Sequence, residues 1–374
     1  MSAQPKRSAA LSVEVERNCL GAELALALLA ASADRRAQAA PRIGLSIGVG
    51  RLSVCAAGED VVFRSNLDAS TTGEGELALD ARTLVDIVRR LPSGPVRLSI
   101  GRGRRVVVQS AGATFRLVAK DSFVATVRES TADGETLPVP VEVLRDALDR
   151  TAYAMTEEES RFTLAGVRIE IGSGRLRAVA TDGRRLALYE QPVDRATGAP
   201  IAFIAPRGAV PVLRAVAARS SGVLAFSSGG EWTRVCAGHR EVRVRSMAGT
   251  FPACDQIVPA STAHTLTVPR AEFKTAIRRA ALIADPAAPA VRLTTRETSL
   301  VVSASRPDTG ELTDSVPVEG DAIDILVSSR YLTDFLSRVG GESIRVGFGH
   351  SRSPLVFCPV SEPFTTLGVL MPMA

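Results

Sequence analysis

The chain repeats itself three times, and a long-period repeat constrains a fold more than any local pattern does. Segments Leu79–Val88, Ile204–Leu213 and Val327–Leu336 share one layout: a strand-like approach, an arginine at a helix start, then an amphipathic helix. The aligned arginines, Arg82, Arg207 and Arg330, are spaced 125 and 123 residues apart. Each helix runs to a glycine-bearing break, at Ser93-Gly94, Ser221-Gly222 and Gly340-Gly341. A strand follows each break, at Val96–Ile100, Val223–Phe226 and Ile344–Phe348. Earlier in each unit, Leu11–Val15, Leu137–Pro140 and Leu266–Pro269 lead into helices predicted over Asn18–Arg35, Val141–Met155 and Arg270–Ala284. Apolar residues there recur every three or four positions, the period of one buried face. Val167–Ile171 and Val242–Arg245 alternate apolar and polar residues, as half-buried strands do. The repeat predicts an α+β protein of three copies, each two helices with several antiparallel strands, divided as residues 1–130, 131–260 and 261–374.

Composition narrows the class. A chain of 374 residues has room for two or three domains with their own cores. Five cysteines, Cys19, Cys55, Cys236, Cys254 and Cys358, form no C-x-x-C pair, which points to a reducing compartment and away from zinc. His239, His264 and His350 have no metal-ligand spacing and read as surface or strand residues. The apolar run Leu20–Ala33 follows Lys6 and Arg7 and ends on Ala31-Ser32-Ala33, the layout of a signal peptide. Glu14, Glu16 and Glu23 break that pattern, and the run aligns with the first helix of the other two copies. It is too short to span a bilayer, so a cytoplasmic protein without membrane association is expected. No P-loop, G-x-S-x-G, H-E-x-x-H or carboxylate pair suggests an enzyme or a cofactor, and Glu157–Glu159 reads as a solvated loop.

The stretch Val179-Ala180-Thr181-Asp182-Gly183-Arg184-Arg185-Leu186-Ala187, with Met371-Pro372-Met373 near the other end, carries the functional signal. Together these segments resemble the bacterial DNA sliding clamp, the β subunit of DNA polymerase III, and the likeness spans the chain. The resemblance implies three repeated clamp domains, each two helices packed on antiparallel sheets, closing with a second copy into a head-to-tail ring dimer. It implies a non-enzymatic processivity factor that encircles duplex DNA and needs no cofactor. Its partners would be polymerase, other proteins carrying a clamp-binding motif, and a clamp loader. Carried over by motif, the peptide pocket comprises Leu164, Thr181, Gly183, Arg184, Arg185, Leu186, Pro252, Ile257, Met371, Pro372 and Met373. Leucine, isoleucine, proline and methionine suit an adaptable apolar cleft, with the Arg185 guanidinium orienting the peptide. Taken singly, Pro252 reads as a loop turn and the two methionines as the end of an edge strand; as a set they match one pocket of the family. Phe115, Leu282 and Ile283 match the family's dimer contacts and read equally as core.

Net charge is +5, and the predicted helices carry a set of the cations. Arg35, Arg36, Arg89, Arg90, Arg145, Arg150, Arg214, Arg219, Lys274, Arg278 and Arg338 are the DNA-facing candidates, with Phe162 added by resemblance. Singly, each cation reads as a solvated helix face; lining one ring, they would attract phosphates without reading bases. Aromatic content of 4% is low for a protein that stacks single-stranded bases. The chain departs from the family pattern at several points. Arg184 stands where histidine is usual, Gln256 where arginine is common, Ala374 where Arg-Leu usually follows, and Ala40–Leu45 replaces a Leu-Pro-Ile-Leu stretch. These departures bear on partner affinity more than on fold. They leave a second reading open, a diverged clamp paralogue acting as a non-replicative interaction or sequestering protein.

Overall fold

The computed structural model describes residues 11–33, 40–101, 104–120, 135–194, 198–259, 261–350 and 352–373. Its helices are α1 (Arg17–Ala31), α2 (Ala81–Arg90), α3 (Val141–Thr151), α4 (Val210–Ala218), α5 (Arg270–Ala280) and α6 (Ser329–Leu336). They alternate with antiparallel strands, as the repeat predicts, and the fold is α+β. The threefold pattern reaches individual hydrogen bonds. The first backbone N–H of α1 donates to Gly94 O at 2.9 Å, that of α3 to Gly222 O at 3.0 Å, and that of α5 to Glu342 O at 2.8 Å. Gly94, Gly222 and Gly341 all have positive φ, at 123°, 78° and 78°. A side chain is disfavoured in that conformation, which explains a glycine at every break. One otherwise orphaned donor at each helix start is thereby satisfied from the neighbouring turn.

The chain folds as two compact units. The first comprises residues 1–142 and 208–246. Its five-stranded sheet runs in the order Ser70–Thr72, Leu11–Glu16, Pro95–Ile100, Arg105–Ser110 and Ala113–Val118. Its eight-stranded sheet is joined in the middle by Arg240–Arg245 against Val61–Asp68, with Val242 opposite Phe63. Helix α1 packs on that sheet and against α2 and α4. Leu20, Leu24, Leu26, Ala27 and Ala30 are fully buried, and so is Glu23. The Glu23 carboxylate is held by Arg240, with Nη2 2.6 Å from Oε1.

The second unit comprises residues 143–207 and 247–374. Its nine-stranded sheet is joined by Arg185–Pro192 against Thr365–Leu370, with Leu186 opposite Val369. A four-stranded sheet, Gly310–Pro317, Ser299–Arg306, Ala290–Arg296 and Asp324–Ser328, completes it. In both units the central join pairs a strand of the middle repeat with a strand of an outer one.

Three helix ends differ from expectation. Helix α1 stops at Ala31, with Ser32 as its C-cap, so the predicted extension to Arg35 is not helix over its described part. Helix α3 stops at Thr151, whose hydroxyl donates to Ala147 O at 2.6 Å, and a 3-10 turn, Ala152–Ala154, follows. Helix α5 ends at Ala280, and Leu282 and Ile283 bond three residues back to Arg279 and Ala280. Asp285 precedes Pro286, and a residue before proline resists the helical region.

Candidate functional site

Every residue expected in the peptide pocket lies in the second unit. The hairpin between strands Arg175–Thr181 and Arg185–Pro192 is its rigid part. Gly183 takes φ 86°, as the turn requires. Asp182 Oδ1 accepts from the N–H groups of Arg184 and Arg185, both at 2.9 Å. The Thr181 hydroxyl accepts from Gly183 N at 3.0 Å and donates to Arg185 O at 2.6 Å. Asp and Thr side chains serve such turns because they reach their own backbone two or three residues on.

The apolar floor follows from strand pairing. Leu186, Val179, Leu188 and Val369 form one buried cluster with Phe251 and Cys254, and Val258 packs against it. Phe251 and Cys254 are the buried residues of the Phe251–Ile257 loop, whereas Pro252 and Ile257 are exposed. Beyond Leu370 the chain leaves its strand but stays tied down: Met371 N donates to Arg184 O at 2.9 Å and Met373 N to Leu326 O at 2.8 Å. Met371 is 43% exposed, and Pro372 and Met373 are half-buried. The structure thus sets the Thr181–Leu186 hairpin and the Phe251–Ile257 loop on one apolar cluster, and ties the Met371–Met373 backbone to the hairpin at Arg184 and to Leu326. Leu164 is half-buried at the end of a 3-10 segment, its carbonyl accepting from Thr156 N at 3.1 Å.

Arg185 differs from expectation. Only 8% exposed, it does not present its guanidinium for orienting a peptide. Nε bonds Asp182 Oδ2 at 3.0 Å, Nη1 bonds Asp334 Oδ2 at 2.6 Å and Nη2 bonds Tyr153 O at 2.6 Å. The group lies over the Tyr331 ring at 4.4 Å. Burial is tolerable only because every arm is paired, and Arg185 fixes the hairpin against α6.

A feature without sequence signal lies behind the loop. A cavity of about 240 Å³ is lined by Val179, Phe251, Pro252 and Cys254 and closed by a two-pronged ion pair between Arg177 and Asp255. Arg177 shares the strand of Val179 and Thr181, two and four residues away, so the pair fastens the loop to the strand under the pocket. Its hydrogen bond, above all other influences, holds the Asp255 carboxyl below the usual range. Burial pushes the Cys254 thiol up to about 11, which marks it as a packing residue.

Most basic candidates are exposed on helices. Arg89 and Arg90 end α2, Arg145 lies on α3, Arg214 on α4 with Arg219 at its C-cap, and Arg278 on α5. Lys274 is half-buried; its pKa is lowered by burial first, then by Arg278 and Arg270. Arg338 is exposed and donates to Asp149 O at 3.1 Å. Arg150 is a correction: its side chain is 13% exposed, bonded to Glu362 at 2.9 Å and stacked over Phe364 at 4.7 Å. An arginine held by a carboxylate and a ring is withdrawn from phosphate. Arg35, Arg36 and the Phe162 side chain lie outside the described residues.

For the dimer candidates, Leu282 is 79% exposed and therefore not core, whereas Ile283 packs against the core of its unit. Phe115 is half-buried on the edge strand Ala113–Val118. The same strand carries Val118, 66% exposed, which sequence reasoning did not single out. Among the described residues no cluster of His, Cys, Asp and Glu is placed to hold a metal. Nor is any described helix long and apolar enough to cross a membrane.

Comparison with known proteins gives a consistent result. Residues 11–122 match the N-terminal domain of the DNA polymerase III beta subunit, 138–253 its central domain and 255–374 its C-terminal domain. The beta sliding clamp of Caulobacter vibrioides is 28% identical over 332 residues, covering 86% of this chain and 89% of the relative. That of Streptomyces coelicolor is 27% identical over 353 residues, covering 92% and 93%. Among solved structures, the C. crescentus beta sliding clamp superposes with a TM-score of 0.89 at 27% identity, covering 98% of this chain and 99% of the other. The Bacillus subtilis DNA polymerase sliding clamp gives 0.89 at 20% identity, also covering 98% and 99%, a likeness of fold.

Proposed function

Because the chain belongs to the DNA polymerase III beta subunit family, the sliding clamps that act as DNA polymerase processivity factors, we propose that two copies close head to tail into a ring around duplex DNA. Each copy contributes three clamp domains, residues 1–130, 131–260 and 261–374. The ring slides without reading sequence and has no catalytic role, and a clamp loader opens it in the cytoplasm. Polymerase and other motif-bearing proteins dock through the cleft of Leu164, Thr181, Gly183, Arg184, Leu186, Pro252, Ile257 and Met371–Met373, with Arg185 as its internal brace.

The observation that carries this reading is that the Thr181–Leu186 hairpin and the Phe251–Ile257 loop share one apolar cluster, with Met371–Met373 tied to that hairpin through Arg184. Three segments far apart in sequence meet where short apolar anchors can be buried, as peptide recognition requires. Arg89, Arg90, Arg145, Arg214, Arg219, Lys274, Arg278 and Arg338 supply salt-sensitive, sequence-independent attraction to phosphate. Phe115, Leu282 and Ile283 serve ring closure.

The test is primer extension on a long single-primed circle with the cognate polymerase and loader. Products much longer per binding event when the protein is added support the reading. Unchanged product length, with the protein shown to be folded, contradicts it.

A further inference from the structure

Beside the apolar cleft lies a second cavity, of about 170 Å³, whose lining includes Glu157, Glu158, Asp182, Arg184, Arg330 and Tyr331. Its three carboxylates are each engaged by an arginine: Glu157 by Arg207, Glu158 by Arg161 at 3.5 Å and Asp182 by Arg185 at 3.0 Å. The exposed guanidiniums of Arg184 and Arg330 have no hydrogen bond or ion pair among the described residues. Arg185 also serves Asp334, so among the described residues five arginines face four carboxylates around this cavity, and Arg184 and Arg330 are the two cations without a partner. Arg184 also borders the cleft, since its carbonyl receives the N–H of Met371 at 2.9 Å.

We propose that Arg184 and Arg330 form a carboxylate-binding subsite at the edge of the peptide cleft, selecting partner segments with an Asp or Glu beside their apolar anchors. This rests on the reading of the cleft as a peptide site. Each unpaired guanidinium presents planar donors of the geometry that a carboxylate accepts, and both line the same cavity. A run of DNA phosphates is the less suitable occupant, because the two unpartnered cations can match one carboxylate, whereas a row of phosphates would extend past them onto Glu157 and Glu158.

The test uses fluorescent peptides built on a short apolar core, Leu-Ala-Leu-Phe, extended at either end by Asp, Asn or Lys, with binding followed by anisotropy. At low salt the better Asp peptide binds wild-type protein about five-fold tighter than its Asn counterpart. That advantage disappears in R184A/R330A and shrinks in about 0.5 M salt. In R184E/R330E the preference moves to Lys. Equal binding of Asp and Asn peptides, with the Asn peptide still bound, overturns the subsite and leaves the cleft standing. Failure of every peptide to bind wild-type protein overturns the cleft and the subsite together. Loss of duplex DNA retention by R184A/R330A with an undiminished Asp preference assigns the two arginines to DNA and overturns the subsite.

Discussion

Arg185 and Asp334 stand 149 residues apart in the chain, yet Nη1 of the first lies 2.6 Å from Oδ2 of the second. The arginine belongs to the hairpin at the peptide cleft and the aspartate to α6, so this pair sets where the cleft sits relative to a helix. The other arms of Arg185 hold Asp182 and the Tyr153 carbonyl, so its loss leaves three acceptors without their partner at once. Arg185→Ala is expected to cost about 3 kcal/mol in denaturant unfolding, the range for breaking a buried pair from one side. Peptide affinity should fall as well, through the shifted turn.

Glu23 makes the corresponding tie in the first unit, held by Arg240. Burial alone would raise its carboxyl pKa, but the bonds and charge of Arg240 outweigh it and the net value falls below 4.5. A depressed carboxyl contributes stability that is present above its unfolded value and lost as pH falls through its folded one. The wild-type protein should therefore weaken progressively below about pH 4.5. Glu23→Gln should be less stable near neutrality by about 3 kcal/mol and lose less on acidification. Urea unfolding at pH 7 and at pH 4 checks both signs.

The Arg177–Asp255 pair predicts a different outcome, because the Asp255 side chain is 75% exposed. Exposed pairs add little to stability. Asp255→Asn should leave the unfolding midpoint nearly unchanged while weakening peptide binding about three-fold, by freeing the loop that carries Pro252 and Ile257. A charge-exchanged R177D/D255R protein should recover part of that loss in the same titration.

Gly368 lies on the strand paired with the hairpin, and an added Cβ would meet the Phe335 ring at 2.5 Å. Phe335 is fully buried and cannot swing away. Gly368→Ala is expected to destabilise by about 2 kcal/mol, as overpacking does, measured as a lowered unfolding midpoint.

The repeat was legible because breaks, helix starts and apolar periods are local properties, and three copies reinforced one another. The hairpin was legible because Thr181-Asp182-Gly183 encodes its own turn. What escaped depended on long-range partners. Nothing near Arg150 announces Glu362, and nothing near Arg185 announces Asp334, so both arginines read as available when they are committed. The same blindness hid Arg177 and Asp255, 78 residues apart. Leu282 could not be separated from Ile283 by pattern, since the turn after α5 faces one outward and the other inward.

The central claim is topological, and retention on DNA of two shapes tests it most directly. The protein is loaded with its clamp loader onto nicked circular duplex and onto linear duplex with free ends, then challenged with moderately high salt. A closed sliding ring stays on the circle and runs off the linear form. Equal loss from both would mean ordinary electrostatic binding, and the chain would then be a clamp-like protein that does not encircle DNA.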